Sequence, residues 1–228
     1  MSHTSQKNTQ QSNNERFAEY LGIYLQSGFS GRSSDELEIR FGTKFWNPIT
    51  QIDFNNVIGK LKSAGFICND PNGEYHLNIM NEYIEPRSGK VKISTIRTEV
   101  QSIFGIQEYC KKNTFNKDKI PSYISFMQKV TKLYSGTYGE EAIRLMPIDF
   151  NDYQFRVNYK EERKPDYKIL GSTLSNWENN KKIFRFIKRF TFTHKDYPLK
   201  IDCSIIQTSA KNERYQLVPE YRIESAKV

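Results

Sequence analysis

The chain is poor in the residues that usually announce a catalytic or metal centre. It has three cysteines, Cys68, Cys110 and Cys203, far apart and forming no CxxC pair. With no signal peptide in view, that number and spacing exclude a disulfide framework and read as reduced thiols in a cytosol-like compartment, not a secreted one. The three histidines, His3, His76 and His194, are scattered. Neither a His-based zinc site nor a Ser-His-Asp triad is expected from them. No apolar run approaches the roughly 20 residues that span a bilayer, so no membrane partner is expected. Residues 1–14 carry almost no apolar side chains and predict a disordered tail, with one domain over 15–228.

What is present is positive charge and aromatic residues. The net charge is +8, and 15 Phe and 14 Tyr fall largely in strand-like runs. The charge favours a polyanionic partner: nucleic acid, nucleotide, polyphosphate or an acidic membrane surface. The aromatic runs predict a β-rich fold with enough apolar volume for a sizeable core.

The most informative run is Glu36-Leu37-Glu38-Ile39-Arg40-Phe41-Gly42. In a strand, alternate side chains face opposite ways, so two carboxylates and a guanidinium share one face. Later runs repeat the design with cations. Arg156, Asn158 and Lys160 share a face, as do Arg185, Ile187, Arg189 and Thr191 opposite Phe184, Phe186, Phe190 and Phe192. Lys200, Asp202 and Ser204 form another such face. Further strands are expected at 74–84, 91–98, 123–133, 142–147 and 214–224. Helices are expected at 15–27, at 53–64 with Asp53 as its cap, at 101–111 and near Trp177. Trp46 and Trp177 read as packing residues, Tyr109 and Cys110 as part of a covering helix, and Lys195, Lys200 and Lys211 as surface lysines.

Two architectures fit this pattern: an antiparallel sheet with one wet face, or a barrel whose charged faces line a hydrated lumen under a cover of helices. The second accounts for the mixture of charges. Paired glutamates repel unless a cation lies between them, and a hard divalent ion takes carboxylate oxygens. Arg and Lys around the same space would hold phosphate oxygens.

The ordered combination of the 36–42 strand, the 184–192 strand and Lys200-Ile201-Asp202-Cys203-Ser204 resembles the triphosphate tunnel metalloenzymes. It is most similar to the metal-dependent RNA triphosphatases of mRNA capping in fungi, protozoa and large DNA viruses. The Asn/Lys/Ile/Tyr-rich composition is similar to that of viral proteins of the last group.

The resemblance implies a mainly β, α+β fold: a closed antiparallel eight-stranded tunnel with helices packed outside. It implies Mg²⁺ or Mn²⁺ on Glu36 and Glu38, with Glu220 and Glu224 as further candidates. Phosphate contacts would come from Arg40, Arg156, Lys160, Arg185 and Arg189, and from Arg97 and Lys129 if their register turns them inward. Asp202 matches the acid of the following strand. The implied activity is hydrolysis of the γ-phosphate from 5′-triphosphate RNA, the first step of cap formation. A downstream guanylyltransferase domain or subunit would be the partner, and the host cytoplasm or a virion the compartment.

The alternatives are a small-molecule triphosphatase or cyclase of the same fold acting on nucleoside triphosphates, and a non-catalytic basic RNA-binding β module. Two departures from the family pattern stand out. Ile187 occupies the central lysine position of an Arg-x-Lys-x-Arg strand, with Lys188 expected to point outward unless the strand bulges. The 219–224 run lacks a Glu-x-Glu spacing, which predicts that the closing strand lies beyond Val228.

Overall fold

The computed structural model describes residues 14–15, 18–19, 22, 35–42, 48–84, 88–131, 133–134, 143–144, 147–151, 154–197, 199–209 and 219–227. The expected tail falls outside them except for Asn14, as do Trp46 and Lys211. Of the first expected helix, 15–27, Glu15, Ala18, Glu19 and Gly22 are described, and all are helical, as is Asn14 of the expected tail.

The described chain is mainly antiparallel β with three helices. In order it runs β1 (Asp35–Phe41), α1 (Gln51–Ser63), β2 (Ile67–Cys68), β3 (Glu74–Ile84), β4 (Val91–Gln101), α2 (Ser102–Lys112) and β5 (Ile124–Thr131). After the short pair β6 (Leu133–Tyr134) and β7 (Ile143–Arg144) come β8 (Ile148–Phe150), β9 (Phe155–Arg163) and α3 (Tyr167–Ser175). The chain ends with β10 (Lys182–Thr193), β11 (Leu199–Thr208) and β12 (Glu220–Lys227).

The main sheet runs β1-β12-β11-β10-β3-β4-β5-β9-β8, with β2 added beside β10. β1 is paired along both edges. Arg40 opposes Glu224 of β12 on one side and Arg156 of β9 on the other. β12 is likewise paired on both sides, by β11 and β1. The run expected to precede a further closing strand therefore lies between β11 and β1. β3 and β4 slip register between Met80 and Glu82, a bulge of the kind that bends a strand. β10 holds continuous register with both neighbours, so no bulge turns Lys188 inward. Its Nζ instead lies 5.3 Å from the ring centres of Tyr75 and Phe190.

The apolar faces of the strands pack under the helices. Phe54 of α1 is buried with Phe192, Cys203 and Ile223, and Val57, Ile58 and Leu61 pack against that cluster. Leu77, Ile79, Val100 and Ile124 join Tyr109 of α2, Phe115 and Trp177 in a second core. Trp177 is fully buried, 4.9 Å from the Phe115 ring centre. Burial of a side chain this large contributes on the order of 3 kcal/mol. α3 stops before Trp177, which sits in the following turn.

The α1 cap differs from the expectation. Thr50, not Asp53, is the N-cap; its hydroxyl accepts from the Asp53 amide, and the Asp53 carboxylate accepts in return from the Thr50 amide. This is a reciprocal capping box, in which a hydroxyl three residues earlier makes the acid the third helical residue. Thr50→Ala should lower Tm by about 2–4 °C, read by circular dichroism. An unchanged Tm would show that tertiary packing alone fixes this helix end.

Candidate active site

The polar faces of the same strands meet at one cavity of about 420 Å³. β1 contributes Glu38 and Arg40; β3, β4 and β5 contribute Asn78, Arg97 and Lys129. β9 adds Arg156, Asn158, Lys160 and Glu162, and β10 adds Arg185, Ile187 and Arg189. β11 gives Lys200, Asp202, Ser204 and Ile206, and β12 gives Arg222 and Glu224. Among the described residues, nine cationic and four acidic side chains line this space. An open sheet does not concentrate its charges in this way; here they face one another across a confined volume.

Three ion-pair groups organise the lining. In the first, Glu220 and Glu224 are shared by two arginines. Glu220 Oε1 lies 3.1 Å from Arg40 Nη2 and 2.9 Å from Arg222 Nη2. Glu224 Oε1 lies 3.6 Å from Arg40 Nε and 3.3 Å from Arg222 Nη1. In the second, Lys129 Nζ lies between Glu38 (3.3 Å) and Glu162 (3.2 Å), and Arg97 between Glu99 (2.6 Å) and Glu162 (3.6 Å). In the third, Asp202 draws in Lys200 (3.4 Å) and Arg189 (3.8 Å) and accepts from the Thr191 hydroxyl at 2.8 Å. At the edge, Asp149 of β8 holds the Arg156 fork at 2.6 and 2.8 Å, which raises the arginine's pKa.

Arg185 differs from these cations: it has no ion-pair partner among the described residues. Burial lowers its pKa, and the charges of Arg222 and Arg40 add to that effect, against a smaller opposing pull from Glu220 and Glu224. Burial raises the Glu224 carboxyl, and the neighbouring charge of Glu38 pushes it the same way, against Arg222, Arg40 and Arg189. For Glu220, burial acts upward, but Arg222, Arg40 and Arg185 together outweigh it and lower the pKa.

Of the residues singled out from the sequence, Glu38, Arg40, Arg97, Lys129, Arg156, Lys160, Arg185, Arg189, Asp202 and Glu224 line the one cavity. Glu36 lies in β1 opposite Lys160 of β9, and its side chain lies outside the described residues. Glu220 does not line the cavity; it bridges Arg40 and Arg222. Lys200 does not belong to the outer surface as expected but lies on the cavity face, where the alternation from Asp202 and Ser204 puts it. Arg222 and Glu162 were not anticipated as site residues, although the same alternation places each beside a singled-out neighbour on its own strand.

No group of three or more His, Cys, Asp or Glu suited to a metal occurs among the described residues. The pair Glu38 and Glu224 has the right donor chemistry for a hard divalent ion. Burial and, after it, the charge of Glu38 raise the Glu224 pKa, and the repulsive part is of the kind such an ion relieves. Two carboxylates completed by water and substrate phosphates are a common Mg²⁺ arrangement.

Among solved structures, the chain is similar to the mimivirus capping enzyme triphosphatase. The TM-score is 0.56 at 16% identity, over 94% of this chain and 87% of that one. It is also similar to the RNA triphosphatase domain of a trifunctional mimivirus mRNA capping enzyme, with a TM-score of 0.52 and 16% identity over 90% and 85% of the two chains. The fold is that of the triphosphate tunnel RNA triphosphatases. No protein-family profile and no curated protein sequence matches the chain. No described helix is long and apolar enough to cross a membrane.

Proposed function

We propose that the strands close into an eight-stranded tunnel and that the chain is a metal-dependent RNA 5′-triphosphatase. On this reading it removes the γ-phosphate from the 5′ end of nascent RNA. The pairing of β1 with both β12 and β9 supports closure. The observation that carries the activity is the set of nine cations around a cavity that also holds Glu38 and Glu224 close enough to interact. Glu38 and Glu224, with Glu36 by strand alternation, would hold Mg²⁺ or Mn²⁺. The bound ion would supply Lewis-acid polarisation of a phosphoryl oxygen. Arg185, Arg189, Arg40, Lys129 and Lys160 would neutralise the triphosphate and the charge that develops as the terminal P–O bond breaks. Asp202 positions Arg189 and Lys200, and Asp149 positions Arg156. A guanylyltransferase acting next on the diphosphate end fits this role, as does a compartment where RNA is capped, the host cytoplasm or a virion.

The test is phosphate release from triphosphate-ended RNA, ATP and inorganic tripolyphosphate, with Mg²⁺, with Mn²⁺ and with EDTA. Metal-dependent release from the RNA is expected. Turnover of ATP or tripolyphosphate with none on RNA would favour a small-triphosphate enzyme of this fold. RNA binding with no turnover of any substrate would favour a non-catalytic module. Against that module, Phe184, Phe186, Phe190 and Phe192 lie on the opposite face of β10 from the arginines.

A further inference from the structure

We infer that Arg222 binds substrate phosphate: with Arg185 and Arg40 it forms a three-guanidinium subsite for one phosphoryl group of the polyphosphate. The inference rests on the triphosphatase reading and adds to it a residue outside the family pattern. It starts from a gap in the cavity wall. Ile187 lies midway between Arg185 and Arg189 on the cavity face of β10, and its partner across the ladder is Ile206. These side chains are 5% and 2% exposed. Neither can donate to a phosphate oxygen, and Lys188 faces the other way, over Tyr75 and Phe190. A cation serving this stretch must come from another strand.

Arg222 is in position to do so. On β12 it opposes Ser204, which opposes Arg189, and it lines the same cavity with a side chain 15% exposed. Its contacts to Glu220 and Glu224 orient the guanidinium beside that of Arg40, which shares both carboxylates. Arg185 lines the same cavity without an ion pair among the described residues; burial first, then the charges of Arg222 and Arg40, lower its pKa, and Glu220 and Glu224 oppose this only in part. Three guanidiniums against two carboxylates leave an excess of positive charge, and each guanidinium offers five N–H donors in a fork that matches phosphate. An entering phosphoryl group relieves this crowding.

The experiment is calorimetric titration of the whole chain with inorganic tripolyphosphate in EDTA, with thermal melts as the folding control. Arg222→Gln should weaken binding by about tenfold, and Arg222→Lys should fall between it and the wild type. If Arg222→Gln loses its cooperative melt, Arg222→Lys carries the reading, and wild-type affinity in that variant overturns the inference. A residue that only positions Glu220 and Glu224 would change the metal dependence of turnover and leave metal-free affinity unmoved, which also overturns it. Wild-type protein with no affinity for tripolyphosphate would remove the triphosphatase reading and this subsite with it. Wild-type binding with undiminished binding by folded Arg222→Gln would remove the subsite alone.

Discussion

Glu38→Ala should leave the protein folded and reduce metal-dependent phosphate release by about a thousandfold. Folding is expected to survive because the side chain faces the cavity and not either apolar core. The β1 backbone keeps its ladders to β12 and β9 whatever residue stands at 38. Lys129 loses one carboxylate and retains Glu162 at 3.2 Å. What disappears is one of the two described carboxylates whose shared negative charge suits a divalent ion. With only Glu224 left among them, itself paired with Arg40 and Arg222, the site loses half of the carboxylate charge that would hold a divalent ion against the surrounding cations. The check pairs turnover in Mg²⁺ and in Mn²⁺ with calorimetric metal titration and a melting curve. A variant that still binds metal and retains a tenth or more of the activity would move the metal site away from β1.

Much of this arrangement is legible in the sequence because each long strand has one face toward an apolar core and one toward the polar cavity. In β10, four phenylalanines on one face and Arg185 and Arg189 on the other leave only one register compatible with both a core and a wet interior. The expected 184–192 strand lies within the observed Lys182–Thr193, and 74–84 coincides with β3. Trp177 is the packing residue expected, and Lys188 points outward as alternation demands. β2 and β8, with two and three residues, have no periodicity to read.

The errors within the site are of another kind. The charge of Lys200, taken alone, suggests bulk water; its strand neighbours Asp202 and Ser204 carry the better information, and it lies on the cavity face. Glu220, a metal candidate from the sequence, pairs with Arg40 and Arg222 and does not line the cavity. No property of residues 219–224 alone reveals that Arg40, 180 residues away in sequence, competes for that carboxylate. Long-range charge partners depend on which strands become neighbours, and the order β10-β11-β12-β1 appears only in the folded chain.

Arg185→Ala should lower kcat/KM for triphosphate-ended RNA by about a hundredfold while leaving thermal stability equal to or above that of the wild type. The two halves of this expectation have one cause. Arg185 is half-buried on the cavity wall, near Arg222 and Arg40, with no ion-paired acid among the described residues; the charges of Glu220 and Glu224 offset only part of the shift. Its pKa is lowered in the fold, so the charged form is less favourable there than in the unfolded chain. At every pH below that lowered value the charge opposes folding, and removing it relieves the opposition. The protein retains such a residue where function requires it, as active sites commonly do at the expense of stability. The bound polyphosphate supplies the negative charge that the fold withholds. Cations that already hold a carboxylate, such as Lys129 between Glu38 and Glu162, must exchange one partner for another and gain less from substrate. Steady-state kinetics and a melting curve on the same preparation decide the matter. A lower Tm with unchanged kcat/KM would make Arg185 a structural residue and leave the largest share of phosphate binding to Arg189 and Lys200.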